Sequence, residues 1–129
     1  MATILLVEDD DHQRLLYRER FEEEGHRVVE ARDGREALAR AAADPPNVVV
    51  LDINMPGMDG LHTLARMHDL NPRLPVILNS AYTEYRDQFV SWIADDYVIK
   101  SSDPKALADA VRLALARRVG TAARRTRQR

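Results

Sequence analysis

Residues Val48 to Gly60 read VVVLDINMPGMDG, an apolar run that ends in an acid and a turn-rich loop. Val48-Val49-Val50-Leu51 is a continuous apolar run, mostly β-branched. Such a run suits a strand buried on both faces, as in a parallel sheet, although pattern alone does not separate it from a buried helix segment. The run ends abruptly at Asp52. A carboxylate at the C-terminal end of a central strand stands where open α/β sheets bind ligands; its plainer reading is a turn cap. Asn54, Met55-Pro56-Gly57 and Asp59-Gly60 follow, a loop of turn formers that lets the backbone come close to a ligand.

Working outward, Thr3-Ile4-Leu5-Leu6-Val7 is a second apolar run, and it too ends in acids, Glu8-Asp9-Asp10. Helical spacing follows, with Leu15, Leu16, Tyr17 and Phe21 on the apolar side, Asp11 as the expected N-cap and Gly25 as the stop. Arg27 to Ala31 reads as a strand, and Asp33-Gly34 opens an Ala-rich helix that Pro45-Pro46 terminates. Beyond the central loop come a helix to about Leu70, a strand Pro75 to Asn79 followed by Ser80, and a helix from Glu84 to Trp92. Asp96 to Ile99 is a fifth strand ending at Lys100, and Asp103-Pro104 starts a last helix with an N-cap and a first-turn proline.

Five strands alternating with five helices imply right-handed crossovers and a parallel sheet covered on both faces. The doubly wound, flavodoxin-like order 2-1-3-4-5 is the natural five-strand solution, and it sets the first and third strands side by side at the switch point.

The composition agrees with one α/β domain. A chain of 129 residues, 45% hydrophobic and 31% charged, can bury a real core and is no disordered segment. It holds no cysteine, which excludes disulfides and thiol chemistry. MATILLVEDD lacks a basic leader region, and no apolar run is long enough for a membrane, so a cytoplasmic location is expected. The charge is uneven. Arg117 to Arg129 carries six arginines and no acids, leaving 13 basic against 21 acidic side chains, or −8, in residues 1–116. Residues 1–118 therefore read as the domain and 119–129 as a basic, disordered tail without a specific partner, nucleic acid being the weaker reading.

With the first and third strands adjacent, Glu8, Asp9 and Asp52 converge at one edge of the sheet. Two ionised carboxylates about 4 Å apart repel by roughly 4 kcal/mol at an effective dielectric near 20. Either one acid keeps its proton, or a hard cation binds. A few carboxylates, a loop carbonyl and waters are what Mg²⁺ accepts. His12, His26, His62 and His68 are scattered, which disfavours zinc. Ser80 and Lys100 end two further strands, supplying a hydrogen-bond donor and a cation. A nucleophile, a metal site, a cation and a hydroxyl are the parts a phosphoryl group requires, since catalysis there is mostly positioning and electrostatics.

The sequence resembles the receiver domains of bacterial two-component response regulators from residue 3 to about 118. ILLVEDD resembles the family's first strand and acid pair, VVVLDINMPGMDG its phosphoacceptor strand and loop, NSAY its switch hydroxyl, and DDYVIK its switch aromatic and lysine. The resemblance implies that Asp52 accepts a phosphoryl group from the phosphohistidine of a histidine kinase or a histidine phosphotransfer protein. It implies Mg²⁺ held by Asp9, Asp52 and the backbone carbonyl of Asn54, with Glu8 acting through water. It also implies that Ser80 moves inward and Tyr97 follows, altering the face of the fourth helix, fifth strand and fifth helix for an output partner or a homodimer. Tyr85, Phe89 and Trp92 fall on or near that face, or else in the core. Asn54 and Tyr82 would flank the acyl phosphate and tune its hydrolysis. Such a protein is a signalling module and not an enzyme for external substrates.

Three positions depart from the family pattern. Ser101 follows Lys100 where proline is usual, Ser102 replaces phenylalanine, and Ile93 stands where glycine is common. A cis Lys100–Ser101 bond would cost about 3–4 kcal/mol. Two other readings compete. Phosphatases of the haloacid dehalogenase type need a second aspartate two residues after the first, and Asn54 occupies that place. A receiver-like interaction module that never exchanges phosphate is the alternative that Asp52 and Lys100 disfavour.

Overall fold

The computed structural model of the chain describes residues 1–53, 60–81, 94–101 and 103–128, with side chains through residue 117. Strands β1 (Thr3–Val7), β2 (Arg27–Ala31), β3 (Val48–Asp52), β4 (Val76–Ser80) and β5 (Asp96–Ile99) form one sheet in the order β2-β1-β3-β4-β5. Every neighbouring pair is parallel. Helices α1 (Asp11–Glu23), α2 (Gly34–Ala43) and α3 (Gly60–Leu70) and a C-terminal helix (Lys105–Gln128) complete the described elements. The helix expected over Glu84 to Trp92 lies outside the described residues, as do Asn54 and Tyr82.

Continuous apolar runs became central strands because both of their faces are covered. Ile4, Leu6, Val48, Val50, Ile77 and Val98 pack under α1 and the C-terminal helix, against Tyr17, Phe21, Leu107 and Val111. Leu5, Val7, Val49, Leu51, Ile53, Leu78 and Tyr97 pack on the other side, against Ala37 and Ala41 of α2 and Leu64 and Met67 of α3. Alternation along each strand thus assigns every residue to one layer or the other.

Helix α1 departs from its expected orientation. Its buried residues are Arg14, Tyr17 and Phe21, while Leu15 and Leu16 are 51% and 37% exposed. The stripe at 14, 17 and 21 has the helical period, but one of its members is a cation. The Arg14 guanidinium donates to the Glu8 carbonyl at 2.9 Å and pairs with Asp11 and with Glu30 of β2. A buried charge is tolerated when paired and hydrogen-bonded. The N-cap is Asp10 in place of Asp11, its carboxylate accepting from the His12 and Gln13 N–H groups. Gly25, at φ 88°, ends the turn after α1 in the left-handed region that suits glycine.

At the other end of the chain Asp103 accepts from the Lys105 N–H at 3.0 Å, and the helix begins just after Pro104. It extends to Gln128, through the stretch read as a tail. Alanine and arginine are strong helix formers, so a composition that reads as solvated tail also propagates a helix. Among the described residues no helix is long and apolar enough to cross a membrane.

Candidate functional site

The C-terminal ends of β1, β3, β4 and β5 form one rim. Glu8 follows β1, and its N–H donates to the Ala31 carbonyl at 3.0 Å, which anchors it at the sheet edge. Asp52 closes β3 in register with Asn79 of β4. The Lys100 N–H donates to the Ser80 carbonyl at 2.7 Å, tying the end of β5 to that of β4. No cis peptide occurs among the described residues, so the Lys100–Ser101 bond is trans.

These backbones bring the charged groups together. Glu8 and Asp52 are 1% and 3% exposed. The Lys100 ammonium lies 2.9 Å from Glu8 Oε1 and 3.2 Å from Asp52 Oδ2. Asp9 is exposed at the rim, and one oxygen from each of Glu8, Asp9 and Asp52 lies within 4.8 Å of the others. Glu8 Oε2 accepts from the Asp10 N–H at 3.2 Å. Its Oε1 is buried and, beside the ammonium, makes no well-directed hydrogen bond among the described residues.

Burial, reinforced by the Asp52 charge, pushes the Glu8 carboxyl up to about 7 against the pull of Lys100. Burial presses the Lys100 ammonium down, but its close contact with the Glu8 carboxylate and the charge of Asp52 outweigh it, and Lys100 stays above its ordinary value. One ammonium therefore serves two buried carboxylates. Three converging carboxylate oxygens with one underused acceptor suit a small hard cation, and this donor set fits Mg²⁺.

Ser80 is fully buried at the end of β4. Tyr97 is 5% exposed and packs in the layer of Leu78 and Ile53, on the same side as Ser80 by alternation. Glu8, Asp9, Asp52 and Lys100 thus meet as the sequence suggests, with Ser80 at the neighbouring strand end. Two residues of the site region were not singled out from sequence. Asn79, 2% exposed, closes the fourth strand run, and Arg14 falls outside the apolar stripe that periodicity marks on α1. A polar residue closing an apolar run was the available signal for the first.

Gly60 shapes the return of the central loop. Its N–H donates to the Ile53 carbonyl at 3.0 Å, and an added Cβ would stand 2.5 Å from Ile53 O and 2.6 Å from Asp52 O. Only glycine lets α3 start this close to the end of β3.

Comparison with known proteins agrees with this geometry. Residues 4–112 match the response regulator receiver domain. The transcriptional regulatory protein AfsQ1 of Streptomyces coelicolor is 34% identical over 119 residues, covering 91% of this chain and 52% of that protein. The sporulation initiation phosphotransferase F of Bacillus subtilis is 38% identical over 81 residues, 63% of this chain and 65% of that one. The chain thus spans about half to two thirds of these relatives. Among solved structures, the response regulator TrrA of Thermotoga maritima in complex with Mg²⁺ and BeF is 36% identical, with a TM-score of 0.83, over 88% of this chain and 99% of that one. TrrA in complex with the histidine kinase ThkA is similar over 89% of this chain and 99% of that one, at a TM-score of 0.82 and 36% identity.

Proposed function

Since the chain belongs to the response regulator receiver domains of two-component signalling, we propose that it accepts a phosphoryl group on Asp52 from the phosphohistidine of a histidine kinase or histidine phosphotransfer protein. The observation that carries this reading is the Lys100 ammonium seated between two buried carboxylates, 2.9 Å from Glu8 and 3.2 Å from Asp52, with Asp9 at the same rim. An Asp52 carboxylate oxygen forms the bond to phosphorus as the phosphorus–nitrogen bond of the donor breaks, giving an acyl phosphate and a free imidazole. Asp9, Asp52 and the Asn54 carbonyl, with Glu8 through water, would hold Mg²⁺, which would supply neutralising charge to the phosphoryl oxygens. Lys100 offers a second positive charge, and Ser80 a hydroxyl. Neither requires new chemistry from the protein.

The output follows from a two-state element biased by the new charge. Ser80 and Tyr97 lie in one layer, which supports a coupled movement that alters the surface of β5 and the C-terminal helix. That surface is proposed to meet an output protein or a second copy, in the cytoplasm. Asn54 and Tyr82 are proposed to tune hydrolysis of the acyl phosphate. Residues 1–118 are proposed as the signalling unit and 119–129 as a solvated basic extension.

The test is acetyl phosphate with MgCl₂ on the parent and on Asp52→Asn, read by intact mass. Gain of one phosphoryl group in the parent alone is expected. Absence of labelling in both would favour the phosphate-independent interaction module.

A further inference from the structure

Lys100 leaves the end of β5, yet its ammonium rests against residues at the ends of β3 and β1. In the order β2-β1-β3-β4-β5 the side chain must cross β4 to do so. The β4 residue at that level is Asn79, the register partner of Asp52 on one side and of Val98 on the other. Alternation sets Asn79 with Ile77 in the layer of Val50 and Val98, so Asp52, Asn79 and Lys100 share a face. Ser80, the other buried polar residue of β4, alternates to the opposite layer. The rest of this row is aliphatic: Ile4, Leu6, Val48, Val50, Ile77 and Val98. The Asn79 amide, 2% exposed, is thus the polar residue of β4 between Asp52 and Val98 in the register, on the face that the lysine crosses.

Building on the reading of this site as a metal-dependent phosphoacceptor, we propose that Asn79 is a positioning residue for Lys100, its side-chain carbonyl accepting the ammonium when a divalent cation takes the Glu8, Asp9 and Asp52 carboxylates. In the metal-free arrangement the ammonium contacts two of those carboxylates. A dication among the same oxygens repels it and claims the lone pairs it was using. Lys100 is fixed at its backbone by the bond to the Ser80 carbonyl, so the side chain withdraws across β4. Asn79 is the buried polar group on that path among the described residues. Being neutral, the amide holds the lysine without competing for the metal, and it keeps the ammonium near the incoming phosphoryl oxygens. An aliphatic residue there would leave the displaced ammonium over hydrocarbon, and Lys100 would then oppose the cation.

The experiment compares the full chain with Asn79→Leu, Lys100→Met and the double variant. Mg²⁺ affinity is measured by calorimetric titration, the metal-free melting temperature by circular dichroism, and phosphoryl uptake from acetyl phosphate by mass. Asn79→Leu is expected to weaken Mg²⁺ binding roughly tenfold, the scale of one hydrogen bond to a charged group, without lowering the metal-free melting temperature. In the Lys100→Met background the same change should leave Mg²⁺ affinity within about twofold. Equal losses in both backgrounds, or none in the parent, would overturn the role of Asn79. So would a fall in metal-free melting temperature alone. Asn79→Val provides the same reading if leucine overpacks the row. Coupled Mg²⁺ binding without phosphoryl uptake would remove the phosphoacceptor reading and keep Asn79; uptake without coupling would do the reverse.

Discussion

On the face beneath α1 and the C-terminal helix, the aliphatic rows of the sheet run up to Glu8, Asp52, Asn79 and Lys100. On the opposite face, beneath α2 and α3, they run up to Ile53, Ser80 and Ile99, with Tyr97 in the layer. The strands are the same and so is their depth of burial. A shift of one residue along the chain moves the side chain from one set to the other. The first set concentrates charge at the rim, where one ammonium lies between two buried carboxylates. The second set is small or apolar and can repack without moving a charge. On the proposed function, the sheet would separate the charged groups of the binding site from the small and apolar groups of the switch, while holding both within one strand end of each other.

The sharpest way to break this division is to remove the central cation and, separately, to trim the other face. Lys100→Met leaves Glu8 and Asp52 buried without their shared partner, a loss expected to cost about 3 kcal/mol at pH 8 without metal, and added Mg²⁺ should restore much of it. Ile53→Val, in the opposite layer, should cost only about 0.5–1.5 kcal/mol and be indifferent to Mg²⁺. Urea unfolding with and without MgCl₂ checks both. Equal metal sensitivity in the two variants would erase the distinction between the faces.

Next in size is an inversion of the ordinary hydrophobic ranking on α1. Arg14→Ala removes the donor to the buried Glu8 carbonyl and should cost about 1–3 kcal/mol. Leu15→Ser, on the exposed side of the same helix, should stay within about 0.5 kcal/mol. Denaturant midpoints that ranked leucine above arginine would put the buried stripe of α1 elsewhere.

The smallest effect sharpens the electrostatics. The folded carboxyl of Glu8 holds its proton up to about 7, against an ordinary value of 4.5. The folded state therefore binds the extra proton in that window, and the stability Glu8 contributes is greatest at the acidic end and declines as pH rises through it. Glu8→Gln does not titrate. In metal-free buffer its stability relative to the parent should rise from about pH 4.5 to about pH 7 and then level off. A flat difference across that range would mean that Glu8 is ionised throughout.

Much of this arrangement was legible in the sequence because the central strands β1, β3 and β4 are apolar runs that stop at polar residues. Val48–Asp52, Thr3–Val7 and the run to Ser80 give strand, direction and rim at once. The lysine after Ile99 completes the rim by the same rule. Helix α1 was less legible for a physical reason. Periodicity counts apolar side chains, and it cannot see that Arg14 is bonded to the Glu8 carbonyl and paired with Glu30. Once an arginine fills the stripe, Leu15 and Leu16 turn outward. Asn79 was less legible for a related reason, since an amide that closes an apolar run reads simply as the end of the strand. Its meaning lies in the lysine crossing over it, and that crossing depends on strand order and reach together.

The most direct test of the central claim is to locate the phosphoryl group. The protein is incubated with acetyl phosphate and MgCl₂, reduced with borohydride to trap an acyl phosphate as homoserine, digested and mapped by mass spectrometry. Homoserine at position 52, abolished by EDTA, is the expected result. Homoserine at another carboxylate, or conversion at position 52 that persists without a divalent metal, would contradict the account.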